Sequence, residues 1–223
     1  MTTTPAATAP TRIQQNILAR SERRLLNWIC PRLPHWVTPD QLTALGFASA
    51  LLVAAGYMLS WIEGEWLVLS LIGYVVNWFG DSLDGSLARW RRIERPSYGY
   101  FLDHSVDAVG TLLMIGAIGA SPYMRLDVAL MAVIGYFLLS IHTFLAAKVV
   151  GEFRLSYMAG GPTELRLMLM AMTVAMPLIG GHKVLGSSFS AFDLFALVVA
   201  SILVTLFVVQ SLATAHMLRK RGV

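Results

Sequence analysis

Asp81-Ser82-Leu83-Asp84-Gly85-Ser86-Leu87-Ala88-Arg89, followed after nine residues by Gly99-Tyr100-Phe101-Leu102-Asp103-His104-Ser105-Val106-Asp107, sets four aspartates at the edge of two long apolar segments. A carboxylate taken into a membrane protein costs on the order of several kcal/mol unless it is neutralised, and four like charges cannot neutralise one another. Divalent cations can. On a helix, residues three or four apart share a face, so Asp81 with Asp84 and Asp103 with Asp107 present paired carboxylates. Two such helices side by side are expected to form a four-carboxylate cup at one end of a membrane bundle. Oxygen ligation of this kind suits Mg²⁺, Mn²⁺ or Ca²⁺, and the lack of cysteine or a histidine pair at ligand spacing argues against zinc.

Working outward, the 223-residue chain is 56% hydrophobic and 13% charged, with a mean hydropathy of +0.63, which is too apolar for a soluble domain. Crossing the hydrocarbon core takes roughly 20 largely apolar helical residues. Six such windows begin near Gln41, Trp66, Tyr100, Asp127, Leu165 and Asp193. No alternating strand pattern is present, and open sheet edges do not survive in lipid. The expected fold is therefore an all-α integral membrane protein. It comprises a flexible segment (1–11), an N-terminal amphipathic interfacial helix (12–36) and one six-transmembrane-helix bundle (37–223). Within the juxtamembrane stretch, Ile13, Ile17, Leu25, Leu26 and Ile29 fall near one helical face, while Arg20, Arg23 and Arg24 can meet anionic headgroups. A plain solvated helix is the competing account.

Fifteen of the 17 basic residues lie in the N-terminal segment, the second-to-third and fourth-to-fifth connections and the C-terminus, leaving Arg125 and Lys183 for the other side. Basic residues near span ends are retained in the cytoplasm, so both termini and the aspartates are expected there, in a bacterial inner membrane. The polar first eleven residues run into an Arg-rich stretch and argue against a removable signal peptide. Cys30 is the sole cysteine, so no intrachain disulfide can form. The pI near 9.5 reflects cytoplasmic retention of charge rather than nucleic-acid binding.

Gly85 and Ala88 leave the backbone open to a phosphorylated ligand, and Arg89 can meet its phosphate. Metal ions, a small-residue floor and flanking arginines together suit a diphosphate-linked substrate and phosphoryl transfer. Acids paired with Arg91, Arg92 or Arg95 are the plain structural alternative. A cation transporter is the alternative of another class, but it leaves Gly85, Ala88 and Arg89 without a use. Asp81, Asp84, Gly85, Ala88, Arg89, Gly99, Asp103 and Asp107 resemble the signature of the CDP-alcohol phosphotransferase family. The resemblance implies a six-helix membrane enzyme, usually a homodimer, that moves a substituted phosphate from a CDP-alcohol to a second alcohol and releases CMP, with a lipid as substrate or product. It implies metal ligands at Asp81, Asp84, Asp103 and Asp107, holding two Mg²⁺ or Mn²⁺ ions. Gly85, Ala88, Arg89 and Gly99 would line the CDP pocket, and Asp107 or His104 would be the base. Nine residues separate Arg89 from Gly99 where the family commonly has eight; the extra one falls in an Arg- and Pro-containing loop.

Residues Val37 to Thr43 resemble the family's usual approach to the first span. Thr38 before Pro39 and Asp40 also makes an ordinary helix start. His104 directly after Asp103 resembles the branch that uses CDP-choline or CDP-ethanolamine with diacylglycerol, where an imidazole can deprotonate a lipid hydroxyl. A histidine bonded to a neighbouring carboxylate is the other account. Gly161-Pro162-Thr163-Glu164 resembles the same branch, with Glu164 on the amino-alcohol, although the helix dipole explains a glutamate there equally. Lys148, Arg154 and Arg166 point the other way. They can bind the phosphate of glycerol 3-phosphate or inositol phosphate in a CDP-diacylglycerol-dependent enzyme, or serve only retention. The reading leans to the choline/ethanolamine-type branch. Small-residue steps at Gly116 with Ala120 and at Ala196 with Ala200 permit close helix packing.

Overall fold

The protein is described by a computed structural model covering residues 11–13, 18–150, 152–154, 161–184 and 188–221. A short helix, α1 (Ala19–Ile29), precedes six helices long and apolar enough to cross a membrane: α2 (Pro39–Leu59), α3 (Leu67–Arg91), α4 (Pro96–Ala120), α5 (Leu126–Val150), α6 (Pro162–Ile179) and α7 (Ala191–Arg221). The expected all-α, multi-pass membrane architecture is what the chain adopts. Two three-residue strands, β1 (Thr11–Ile13) and β2 (Glu152–Arg154), pair in parallel and lay the N-terminal segment along the α5–α6 connection. Of the segment expected to be flexible, residues 1–10 lie outside the described residues.

The juxtamembrane helix is shorter than the expected 12–36. Ile13 belongs to β1, and Ile17 lies outside the described residues. After Ile29 the chain tightens into a 3₁₀ turn, Cys30–Arg32, and Leu33 turns extended (φ −71°, ψ 132°). The cause is local: Pro31 offers no N–H, and Pro34 pushes the residue before it out of the helical region. Leu26 and Cys30 are buried against Leu42, Leu83 and Leu87. Leu25 and Trp28 are exposed, so Leu25 is not on the packed face with Leu26. Burial pushes the Cys30 thiol up, opposed by Arg89 and Arg91.

α2 starts with a reciprocal cap. Thr38 Oγ1 accepts from Gln41 N at 3.3 Å, Thr38 N donates to Gln41 Oε1 at 2.8 Å, and Pro39 occupies the first turn. Asp40 pairs with Arg95, so this segment caps a helix. α2 and α3 then meet backbone to backbone. A Cβ on Gly80 would lie 2.6 Å from Gly46 N and from Leu42 O. Asn77 Nδ2 donates to Gly46 O at 2.9 Å, and Ser70 Oγ to Val53 O at 2.8 Å, across the same seam. Of the small-residue steps read from the sequence, Ala196 and Ala200 are buried, whereas Gly116 has no atom within 4 Å of a built Cβ.

α3 ends at Arg92 in the left-handed region (φ 56°), and Pro96 opens α4. Arg91 is occupied by structure: its guanidinium donates to the carbonyls of Leu33, Pro34, His35 and Val37. It ties the approach to α2 onto the end of α3. α2 packs against both α3 and α4, so the two acid-bearing helices flank it rather than lying directly side by side.

Candidate active site

α3 carries Asp81 and Asp84 on the face that also bears Asn77, and α4 carries Asp103 and Asp107 one turn apart. The bundle brings the four carboxylates together. Asp107 lies within electrostatic reach of Asp81, Asp84, Asp103 and Arg166, and Asp84 within reach of Asp81 and Asp103. Asp84 is buried and accepts from Thr43 Oγ1 of α2 at 2.7 Å. Asp81 forms a half-buried ion pair with Arg166 Nη2, while Arg166 Nε donates to Asn77 Oδ1 at 2.8 Å. One guanidinium thus bridges two positions of α3 from α6.

On α4, one ligand atom each from Asp103, His104 and Asp107 falls within 4.8 Å of the others. The two carboxylates of this set suit a hard divalent cation such as Mg²⁺ or Mn²⁺, and the imidazole beside them is a softer ligand. The imidazole lies among aromatic rings, 4.4 Å from Tyr100 and 5.3 Å from Phe144 between centroids, with Nδ1 3.5 Å from Asp103 Oδ2. His104 therefore stands among the acids, where both accounts of it, base and carboxylate partner, keep their geometry.

The residues expected at the nucleotide lie on the exposed side of this cluster. Arg89 is exposed, donates to Ser86 Oγ at 3.2 Å and stands over Gly85, where a Cβ would come 3.3 Å from its Nη1. Ala88 is half-buried on the same helix, and Gly99 is exposed with nothing within 4 Å of a built Cβ. The other expected substrate residues separate. Arg166 is inside the cluster; Lys148 is exposed near the end of α5; Arg154 sits on β2. Glu164 is engaged by backbone, accepting from Gly161 N and from Leu18 N, each at 3.0 Å. That is a helix cap extended to a second segment, with one backbone donor on each carboxylate oxygen.

Thr43 and Asn77 were not singled out from the sequence. Asn77, Asp81 and Asp84 follow i, i+4, i+7 spacing, so a polar stripe on an apolar helix was there to be read. Thr43 was read only as the last residue of the Val37–Thr43 segment, because its bond to Asp84 arises where α2 crosses α3.

Residues 36–218 match the sequence model of the CDP-alcohol phosphatidyltransferase family. The chain belongs to this family. Among its relatives, an archaetidylinositol phosphate synthase of Pyrococcus horikoshii is 32% identical over 104 residues, covering 47% of this chain and 52% of that protein. The inner membrane protein YnjF of Escherichia coli K12 is 38% identical over 87 residues, 39% of each chain. The chain thus matches about half the length, or less, of these relatives. Membership favours the transferase over the cation-transporter reading, and it accounts for Gly85, Ala88 and Arg89, for which ion passage has no use.

Proposed function

We propose that this chain is a metal-dependent phosphotransferase that takes a CDP-lipid as donor and a polar alcohol as acceptor, releasing CMP at the cytoplasmic face of a bacterial inner membrane. The observation that carries this reading is the position of Arg166. One turn from it, between α3 and α6, runs a groove of about 560 Å³ lined by apolar side chains including Leu71, Val75, Leu167, Met170 and Val174. Arg166 does not line the groove, but Leu167, the next residue of α6, does, so a lipid with its acyl chains there would bring its phosphate toward the end of the bundle that carries Arg166. The groove opens between two spans, so the lipid reaches the site sideways.

Among the described residues four carboxylates face one guanidinium, and multivalent cations would offset the remainder. Two Mg²⁺ or Mn²⁺ ions held by Asp81, Asp84, Asp103 and Asp107 would polarise the phosphoryl oxygens and offset the charge gathering on CMP. In the transfer, the acceptor hydroxyl oxygen bonds to the phosphorus bearing the lipid. The bridging P–O bond breaks with its electron pair leaving on CMP, and Asp107 or His104 takes the hydroxyl proton. Gly85, Ala88 and Gly99 give the nucleotide close approach, and Arg89 meets its phosphate. The first-described relative is named for inositol phosphate chemistry, so inositol phosphate and glycerol 3-phosphate are the acceptors to try, with Lys148 and Arg154 on the same side of the membrane to meet them. A homodimer is the assembly proposed from the family.

The choline/ethanolamine reading rests on His104 among the acids, and on Glu164, whose two backbone hydrogen bonds fit its helix-cap account. CMP release by purified protein in detergent with Mg²⁺ or Mn²⁺ separates the two. CDP-diacylglycerol with a phosphorylated polyol is expected to turn over. CMP release only from CDP-choline or CDP-ethanolamine with diacylglycerol would overturn the proposal.

A further inference from the structure

Glu22 stands on α1, outside the CDP-alcohol signature, yet its Oε1 accepts three hydrogen bonds from two spans. Trp78 Nε1 (2.9 Å) and Ser82 Oγ (3.0 Å) come from α3, and Thr163 Oγ1 (2.9 Å) comes from α6. The pattern repeats that of Arg166 one residue along. Asn77 and Asp81 hold Arg166; their successors Trp78 and Ser82 hold Glu22. On α6, Thr163 and Arg166 are three residues apart and share a face. Two parallel ties therefore join α3 to α6, one direct and one through α1. The start of α1 is bound to α6 a second time, by Leu18 N donating to Glu164 Oε1. A glutamate on a helix lying at a membrane surface is ordinarily left to water; this one is half-buried and takes donors from α3 and α6.

We infer that Glu22 is a positioning residue: by gripping Ser82 and Trp78 of α3 and Thr163 of α6 together, it sets the spacing of these helices and holds Arg166 in register with Asn77 and Asp81. It touches no substrate. A charged acceptor makes each of these bonds stronger than a neutral one, and the three donors converge on one oxygen, so neither α3 nor α6 can shift along the other without breaking the set. The kinetic consequence rests on the proposed role of Arg166 in binding the donor phosphate. The structural consequence does not.

The test uses full-length Glu22→Ala, Glu22→Gln, Thr163→Val and the Glu22→Ala/Thr163→Val double variant. Glu22→Ala is expected to raise KM for CDP-diacylglycerol about tenfold with kcat changed less than about twofold, the mark of lost binding rather than lost chemistry. Thr163→Val moves KM the same way, and the double variant is no worse than Glu22→Ala, because both remove one link. Glu22→Gln, which keeps an oxygen acceptor without the charge, recovers part of the loss. Hydrogen exchange of backbone amides 165–170, measured without substrate, is expected to quicken in Glu22→Ala and Thr163→Val. Unchanged KM with unchanged exchange, or additive effects in the double variant, would overturn the inference. Quickened exchange in a protein that releases no CMP from CDP-diacylglycerol upholds the grip of Glu22 and refutes the donor reading instead. Thr163→Val loses one hydroxyl from α6 and keeps the test decisive should Glu22→Ala fail to fold.

Discussion

Gly80→Ala tests whether the α2–α3 seam holds the aspartates in place. The added Cβ would sit 2.6 Å from Gly46 N and Leu42 O and 2.9 Å from Gly46 Cα, all backbone of α2 with no side chain to swing aside. Ordinary contact begins at 3.4 Å, so the helices must part locally by the difference, about 0.8 Å. Of the hydrogen bonds that cross this seam, the two near Gly80 are Thr43 Oγ1 to Asp84 at 2.7 Å and Asn77 Nδ2 to Gly46 O at 2.9 Å. The same displacement carries both to roughly 3.5 Å or beyond, where a hydrogen bond is lost. Overpacking costs about 1–3 kcal/mol and the gain in helix propensity returns ~1 kcal/mol, so the fold survives. Turnover suffers more: a misplacement of this size at a site that works by positioning costs about 100-fold. CMP release and thermal unfolding in detergent measure the two effects separately. Gly116→Ala is the matched control, for its Cβ meets nothing within 4 Å and activity should be unchanged. Wild-type turnover by Gly80→Ala, or equal damage from Gly116→Ala, would refute the reasoning.

Asp84→Asn removes a charge while keeping the shape that Thr43 contacts, and CMP release should fall at least about 1000-fold in a protein that still elutes as a folded species; wild-type activity would sink the metal-ligand role. His104→Ala separates the two base candidates: an unchanged rate assigns the proton to Asp107, whereas a loss of about 100-fold or more assigns it to His104. Arg166→Lys keeps the charge but cannot donate to Asn77 and Asp81 from one planar fork. KM for CDP-diacylglycerol is expected to rise about tenfold, and an unaltered KM would remove Arg166 from donor binding.

The bundle was legible because the bilayer admits so few alternatives: each apolar window had to be a helix, and the six windows became α2 to α7. The aspartates were legible for the same reason, since charge in such a segment needs a use. What the sequence could not display were contacts between helices with no fixed separation along the chain. Thr43 meets Asp84 across 41 residues and Arg166 meets Asp81 across 85. The glycine seam was missed because Gly46 and Gly80 sit on different helices, while a step within one helix, Gly116 with Ala120, looked equally suited to packing. Glu164 was open to both a ligand and a helix-start account, and of its two backbone donors only Gly161 N was local, for Leu18 N comes from a segment 146 residues away.

α6 explains why the apolar groove lies where it does. This span buries a smaller share of its apolar window, 17%, than any other. It is tied instead by polar contacts along its length: Thr163 to Glu22, Arg166 to Asn77 and Asp81, and Thr173 to Tyr57 at 2.5 Å. In water such a helix would be poorly held, because apolar burial supplies most of the stability of a packed span. In a bilayer, lipid tails are as apolar as leucine, so apolar contact between spans supplies little, and hydrogen bonds and close packing decide which helices stay together. An acyl chain can therefore replace side-chain contacts between α3 and α6 at little cost, while Arg166 ties α6 to α3 at one end and Thr173 ties it to Tyr57 of α2 farther along. The opposite side of α3 is closed by backbone contact with α2 at Gly46 and Gly80, which an acyl chain cannot enter. On the proposed reading, the lipid would enter by the face of α3 toward α6, while the backbone seam with α2 holds the face that carries Asp84.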